Sequence, residues 1–152
     1  MTLYSLHRTQ NLNVPLETAW DFFSNPANLV QITPPWLGFE VVTPDPPPMH
    51  AGQILKYKVS GLSGLRMNWV TEITHVRAPG FFVDEQRLGP YRFWHHKHYF
   101  RSVAGGTQVE DLVHYALPLW PLGELAKGMV RSRLEMIFDF RRETLARMFG
   151  PA

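Results

Sequence analysis

Cysteine is absent from this chain. That excludes disulfides, thiolate catalysis and cysteine-ligated zinc or iron–sulfur centres. No apolar run approaches the length of a membrane span. The first ten residues, MTLYSLHRTQ, lack the basic-then-apolar pattern of a secretory signal. A soluble, cytoplasmic protein is therefore expected. Charge of one sign is scarce as well. The formal net charge is +2, which by itself gives no reason to expect a nucleic-acid partner. The sequence has no phosphate-cradling glycine loop followed by Lys-Ser/Thr, no dinucleotide fingerprint and no G-x-S-x-G elbow. Ser63 and Ser102 have no neighbours that would make them nucleophiles.

Apolar side chains are plentiful. The 152 residues are 45% hydrophobic and 13% aromatic, enough to fill the core of one domain (1–152) and still line a cavity. Arginines cluster in the last quarter at 131, 133, 141, 142 and 147, which reads first as a solvated helix face.

Residues 3–14 alternate in polarity as a long strand does. Pro15 suits the first turn of a helix whose stripe is Leu16, Ala19, Trp20 and Phe23. Asn25-Pro26 breaks it and opens a second short helix, 27–32, which Thr33-Pro34-Pro35 ends. A short strand at 40–43 precedes a proline-rich loop. Five more strands follow, at 53–60, 66–76, 81–88, 92–103 and 107–117. The breaks between them, at 61–64, 78–80, 89–90 and 104–106, are short enough for an antiparallel meander. A long helix over 122–149 closes the chain. Leu122, Leu125, Met129, Val130, Leu134, Ile137 and Phe138 recur along it at helical spacing. The expected fold is α+β: seven antiparallel strands wrapped round that helix, with two short helices rimming a space between them.

Three segments are more specific: NPANLVQITPPWLGF (25–39), GPYRFWHHKHYF (89–100) and GGTQVEDLVHYALP (105–118). With this element order, the chain resembles the helix-grip superfamily of START and birch-pollen-allergen proteins, SRPBCC. The segments resemble its bacterial ligand-binding, cyclase/dehydrase-like subgroup. The resemblance implies a cavity for a hydrophobic ligand. It leaves open lipid or hormone binding, aromatic polyketide cyclisation, a co-chaperone-like role and ring-hydroxylating oxygenase chemistry. The last needs an iron triad, and no full one is evident.

Strand 92–103 carries the site expectation. Alternation puts Trp94, His96, His98 and Phe100 on one face and His95 and Lys97 on the other. In the next strand the more apolar face holds Thr107, Val109, Asp111, Val113 and Tyr115, so Asp111 should share the interior with His98. A buried carboxylate needs a partner, and an imidazole N–H supplies one. The pair would act as an oriented general base, as a hydrogen-bond donor to a ligand, or only as a structural link. His96-x-His98 with Asp111 also has the composition of a two-histidine, one-carboxylate metal site. No fourth ligand is evident and no metal or cofactor is expected. Strand 81–88 is ambiguous: hydrophobicity favours Phe81, Val83 and Glu85 inward, while the other register would set Phe82, Asp84 and Gln86 beside His96.

The expected function is non-enzymatic binding of a lipid- or polyketide-like molecule. Trp36, Trp69, Trp94, Phe100, Met129 and Ile137 would supply apolar contact, and His96, His98, Asp111 and Tyr115 polar contact. Trp36 would stand at the rim. Gly123 and Gly128 would either leave room on the helix or mark a frayed first turn. The alternatives are a cyclase or dehydratase using His96, His98 and Asp111, and an interaction module with a filled interior. A cavity of at least ~300 Å³ reaching the histidines would favour the first two. No nucleic-acid partner is expected, and homodimerisation is left open.

Overall fold

The computed structural model describes residues 1–61 and 64–151. Ser63 and half of the expected break at 61–64 lie outside them. The strands are β1 (Tyr4–Leu12), β2 (Glu40–Val41), β3 (Gln53–Ser60), β4 (Arg66–Arg77), β5 (Phe81–Leu88), β6 (Phe93–Val103) and β7 (Gly106–Ala116). They form one antiparallel sheet in the order β1-β7-β6-β5-β4-β3-β2. The helices are α1 (Leu16–Phe23) and α2 (Lys127–Phe149). The helix-grip expectation holds, with β3 and β5 at the bounds read from the sequence.

The second short helix is a 3₁₀ segment, Pro26–Ile32. The Asn25 side chain accepts a hydrogen bond from the Ala27 N–H and fixes its start. The Thr33 hydroxyl donates back to the Leu29 carbonyl at 2.6 Å. A second 3₁₀ turn, Pro35–Leu37, then lifts Trp36 to the edge of the grip. Both belong to the proline-rich 25–39 segment, where missing N–H groups shorten helices.

The sheet's inner face and α2 enclose the core. Val113, Trp94 and Leu6 pack against Val130, Leu134 and Phe138. Phe100, Phe82 and Val109 pack with α1 residues Ala19 and Phe23 and with Leu145. Trp20 meets Phe82 and Phe100 edge-on at 5.9 and 5.8 Å. Phe100, expected to touch a ligand, is thus committed to this aromatic cluster. Tyr115 is buried too, stacked on Tyr4 at 5.4 Å, and belongs to the core rather than to a cavity wall.

The first turn of the expected long helix is 3₁₀, Leu122–Ala126, and α2 proper begins at Lys127. A 3₁₀ turn has 3.0 residues instead of 3.6, so it breaks the phase of the apolar stripe. Leu122 and Leu125 consequently face solvent; Met129 lies on the exposed side of α2 itself and is no part of the pocket floor. Gly123 has a structural reason: a Cβ there would stand 1.9 Å from the Pro118 carbonyl oxygen. Gly128 has open space around it, so neither glycine makes room for a ligand. Gly123→Ala should destabilise the fold, because backbone must shift. Gly128→Ala should be neutral or stabilising by up to about 1 kcal/mol. Thermal melts of the two variants check this contrast.

Candidate functional site

Strand alternation sends His96 and His98 of β6 inward, and both are buried. Their neighbours are acidic on both sides. In register, His98 lies opposite Asp111 of β7, and His96 opposite Asp84 of β5. The side chains lean along the strands, so the closest bonds run diagonally. His96 Nε2 is 2.7 Å from Asp111 Oδ1, and His98 Nε2 is 2.5 Å from Asp84 Oδ2. The remaining approaches are longer: His98 Nδ1 to Asp111 at 3.4 Å and His96 Nδ1 to Asp84 at 3.6 Å. The imidazoles stack at 3.7 Å, and Phe82 stacks on the far side of His98 at 4.0 Å. Arg141 of α2 reaches Asp111 at 3.4 Å while lying over the Phe138 ring.

Burial disfavours every charge in this cluster, and pairing decides which survive. Burial opposes the Asp111 carboxylate, but hydrogen bonds from both histidines and the Arg141 guanidinium hold its pKa well below the usual range. Burial likewise opposes charge on Asp84, and the two imidazoles outweigh it, so its pKa is lowered. His98 is penalised by burial yet raised overall by its bonds to Asp111 and Asp84. His96 is lowered, by burial first and then by its neighbour His98. The consistent state has two carboxylates, an imidazolium on His98, a neutral His96 and Arg141, which sums to zero charge. His98 then donates to Asp84 through Nε2, and His96 donates to Asp111 through Nε2. The Nδ1 lone pair of His96 then faces only acceptor oxygens, Asp84 Oδ2 at 3.6 Å being one.

The pH dependence follows. Because His96 is held neutral, the unfolded chain takes up a proton below about pH 6.5 that the folded chain resists, so stability falls on acidification. Asp84 and Asp111 add to this limb: their contribution is present above about pH 4 and is lost as pH falls through their depressed folded values. His98 works the other way. Its contribution is full below about pH 6.5 and is lost as pH rises through its raised folded value. Urea midpoints across pH should therefore peak near pH ~6.5; a midpoint that keeps rising into the alkaline range contradicts the assignment.

A cavity of about 210 Å³ opens between the sheet and α2. Asp84, His96, His98 and Arg141 contribute charged and polar groups to its lining. Leu55, Tyr57, Phe82, Trp94 and Phe138 are among its apolar walls. At the open side stand Leu37 and the half-exposed Trp36, whose ring Arg133 covers at 5.0 Å. Six expected residues line it: Trp36, Trp69, Trp94, His96, His98 and Ile137. Phe100, Tyr115, Met129 and Asp111 do not. Asp111 sits behind the lining and acts on the cavity through His96, His98 and Arg141, all three of which line it. The volume is also smaller than the ~300 Å³ expected.

The sequence reading left one group open, Asp84, and missed another, Arg141. Hydrophobicity favoured Val83 over Asp84 as the inward residue. Phe82 and Val83 are both buried, at 4% and 2% exposure, so greasiness could not choose the face. The inward register is that of Phe82 and Asp84. Arg141, read as part of a solvated face, is 12% exposed. A signal did exist: Arg141 continues the buried stripe Leu134, Phe138, Leu145 at helical spacing, and a cation on such a stripe calls for a buried acid. Asp84, His96 and His98 each offer one ligand atom, and these lie within 4.8 Å of one another, the geometric minimum for a cation. Asp84, not Asp111, completes that set. Without an ion, the same atoms form a hydrogen-bonded, charge-neutral network.

The solved structures that resemble this chain share the fold at low identity. Protein CV1439 from Chromobacterium violaceum matches at 16% identity over all of both chains, with a TM-score of 0.69. Ara h 8.0201 matches at 12% identity over 96% of this chain and 99% of its own, with a TM-score of 0.61. The di-domain ARO/CYC BexL from the BE-7585A biosynthetic pathway matches at 17% identity over 94% of this chain and 50% of its own, with a TM-score of 0.68. No curated protein matches the sequence. The family model for polyketide cyclase / dehydrase and lipid transport matches residues 12–138. With this fold and that match, the chain belongs to the polyketide cyclase/dehydrase and lipid transport family, within the SRPBCC helix-grip superfamily.

Proposed function

We propose that the chain binds a compact aromatic molecule of one or two rings in the cavity between the sheet and α2. Its polar end would meet His96 and His98. The carrying observation is a cavity with mostly apolar walls whose lining includes the buried histidines of the histidine–aspartate network. An apolar cavity of about 150 Å³ accepts benzene, so 210 Å³ fits a small ring system better than a long acyl chain. The buried imidazolium and the neutral imidazole suit a phenol, enol or carbonyl oxygen, which can exchange hydrogen bonds with both.

One observation favours a second reading, that of a cyclase or dehydratase. The His96 Nδ1 lone pair lies beside an imidazolium, so one ring can accept a proton while its neighbour supplies one. Asp111 would then act as a positioning residue, holding both rings through Nε2 of His96 and Nδ1 of His98.

Native mass spectrometry of protein purified from its own host tests the first reading: an aromatic molecule retained one-to-one is expected, and protein that carries only lipid, or a metal ion, overturns it. His98→Ala separates the two readings. For a binding protein the substitution weakens affinity by roughly tenfold, about the worth of one hydrogen bond to a charged group. For an enzyme it abolishes turnover while leaving binding largely intact.

A further inference from the structure

Among the described residues, the three most exposed large apolar side chains, Leu125, Leu119 and Leu122, fall in one short segment. Within the eleven residues from 119 to 129 lie Leu119, Trp120, Leu122, Leu125 and Met129, all more than half exposed, with Leu125 at 87%. Single exposed leucines are ordinary, but a contiguous group of this kind marks a surface that something covers.

The segment is held in this posture rather than frayed. Glu124 accepts a hydrogen bond from the Tyr4 hydroxyl of β1. Gly123 packs against the Pro118 carbonyl, and its N–H donates to the Leu119 carbonyl at 2.9 Å. Those contacts fix the polar side of the 3₁₀ turn to the sheet, so its leucines point outward. The patch is made by a loop, one 3₁₀ turn and the first turn of α2.

Its surroundings are basic. Lys127 and Arg131 rise from the first turns of α2 on the side away from Met129, and Arg131 pairs with Glu135 at 3.1 Å. The backbone N–H of Arg92 donates to the Ala116 carbonyl, which sets its exposed side chain at the root of the 117–121 loop. Arg133 follows Met129 by one helical turn and belongs to the cavity's open side with Trp36. Four cations therefore flank the apolar tip, against Glu124, which is tied to Tyr4, and Glu135. An apolar tip carrying a tryptophan within a basic collar has the make-up of an interfacial anchor: leucines enter the acyl boundary, the indole sits at headgroup depth, and cations meet anionic phosphates.

We propose that the segment from Leu119 to Arg131 docks the protein on an anionic lipid surface, with the cavity's open side one helical turn from the bilayer. Docking does not rest on what the cavity holds, and its test reads vesicles and not ligand. The full chain is sedimented with vesicles of phosphatidylcholine alone and of phosphatidylcholine with phosphatidylglycerol, at low and high salt. Binding to the anionic vesicles, weakened by salt, is expected. The variant Trp120→Ser/Leu125→Ser should lose at least roughly tenfold in vesicle affinity with an unchanged melting temperature, since both side chains are exposed. Arg92→Glu/Lys127→Glu should abolish the preference for phosphatidylglycerol. Absence of sedimentation with either vesicle overturns the proposal, as does binding that the serine variant leaves intact. Light scattering supplies the competing occupant: a dimer that the serine variant dissolves, without vesicle binding, would assign the patch to a second copy of the chain.

Discussion

Asp111→Asn is expected to destabilise the protein by about 3–5 kcal/mol, the usual cost of removing one partner from a buried ion pair. A domain of this size has a total stability of roughly 5–15 kcal/mol, so the loss is large. The substitution keeps shape and volume; only charge changes. Asp111 is the anion that serves both imidazoles and Arg141. Without it, the Arg141 guanidinium loses its carboxylate partner, His98 keeps only Asp84, and the cluster carries an uncompensated positive charge. His98 relieves part of the strain by giving up its proton, so its pKa should fall. Adding Arg141→Met to the Asn variant should recover stability, with a coupling of about 0.5–3 kcal/mol between the two sites. Denaturant unfolding of the four proteins in this cycle measures both effects. Strict additivity would mean that Arg141 and Asp111 do not share one network.

The second large effect concerns the cavity. Ile137 lies on its α2 side, partly buried, with open space before it. Ile137→Trp puts an indole into that space. Affinity for an aromatic ligand should fall at least ~100-fold, which is about 2.8 kcal/mol at 1.4 kcal/mol per factor of ten. Stability should change little, because the added atoms occupy a void instead of displacing packed neighbours. Calorimetric titration of the wild type and the variant with the same ligand gives the comparison. Equal affinities would place the binding site elsewhere.

The sequence showed the fold in those places where one physical rule acted alone. Alternation set β3 and β5 at their observed bounds, and the glycine and proline breaks set the hairpins. It also put Trp94, His96, His98 and Phe100 on one face and Asp111 on the matching face of β7. The misreadings come where two rules competed. In β5 two adjacent apolar residues hide the register, so Asp84 appears only in the less favoured of two alternatives. At the start of α2 the leucine spacing looks helical, while Pro121 and the Gly123–Pro118 contact impose a tighter turn that rotates the stripe into solvent. Phe100 and Tyr115 face inward as read. Alternation says which side of the sheet a residue occupies, however, and not whether that stretch meets a neighbouring ring or open space. That depends on α1 and Tyr4, which the local pattern of β6 and β7 does not contain. Arg141 was legible in principle, as a charge standing on a buried stripe.

The central claim is that small aromatic molecules enter this cavity and meet its histidines. The most direct measurement is a titration with one- and two-ring phenols and aryl ketones, followed at the imidazole resonances of His96 and His98. Saturable one-to-one binding that moves both resonances, leaves the surface imidazole of His7 unmoved and disappears in Ile137→Trp is the predicted result. A series of such compounds that leaves both buried imidazoles unmoved would contradict it.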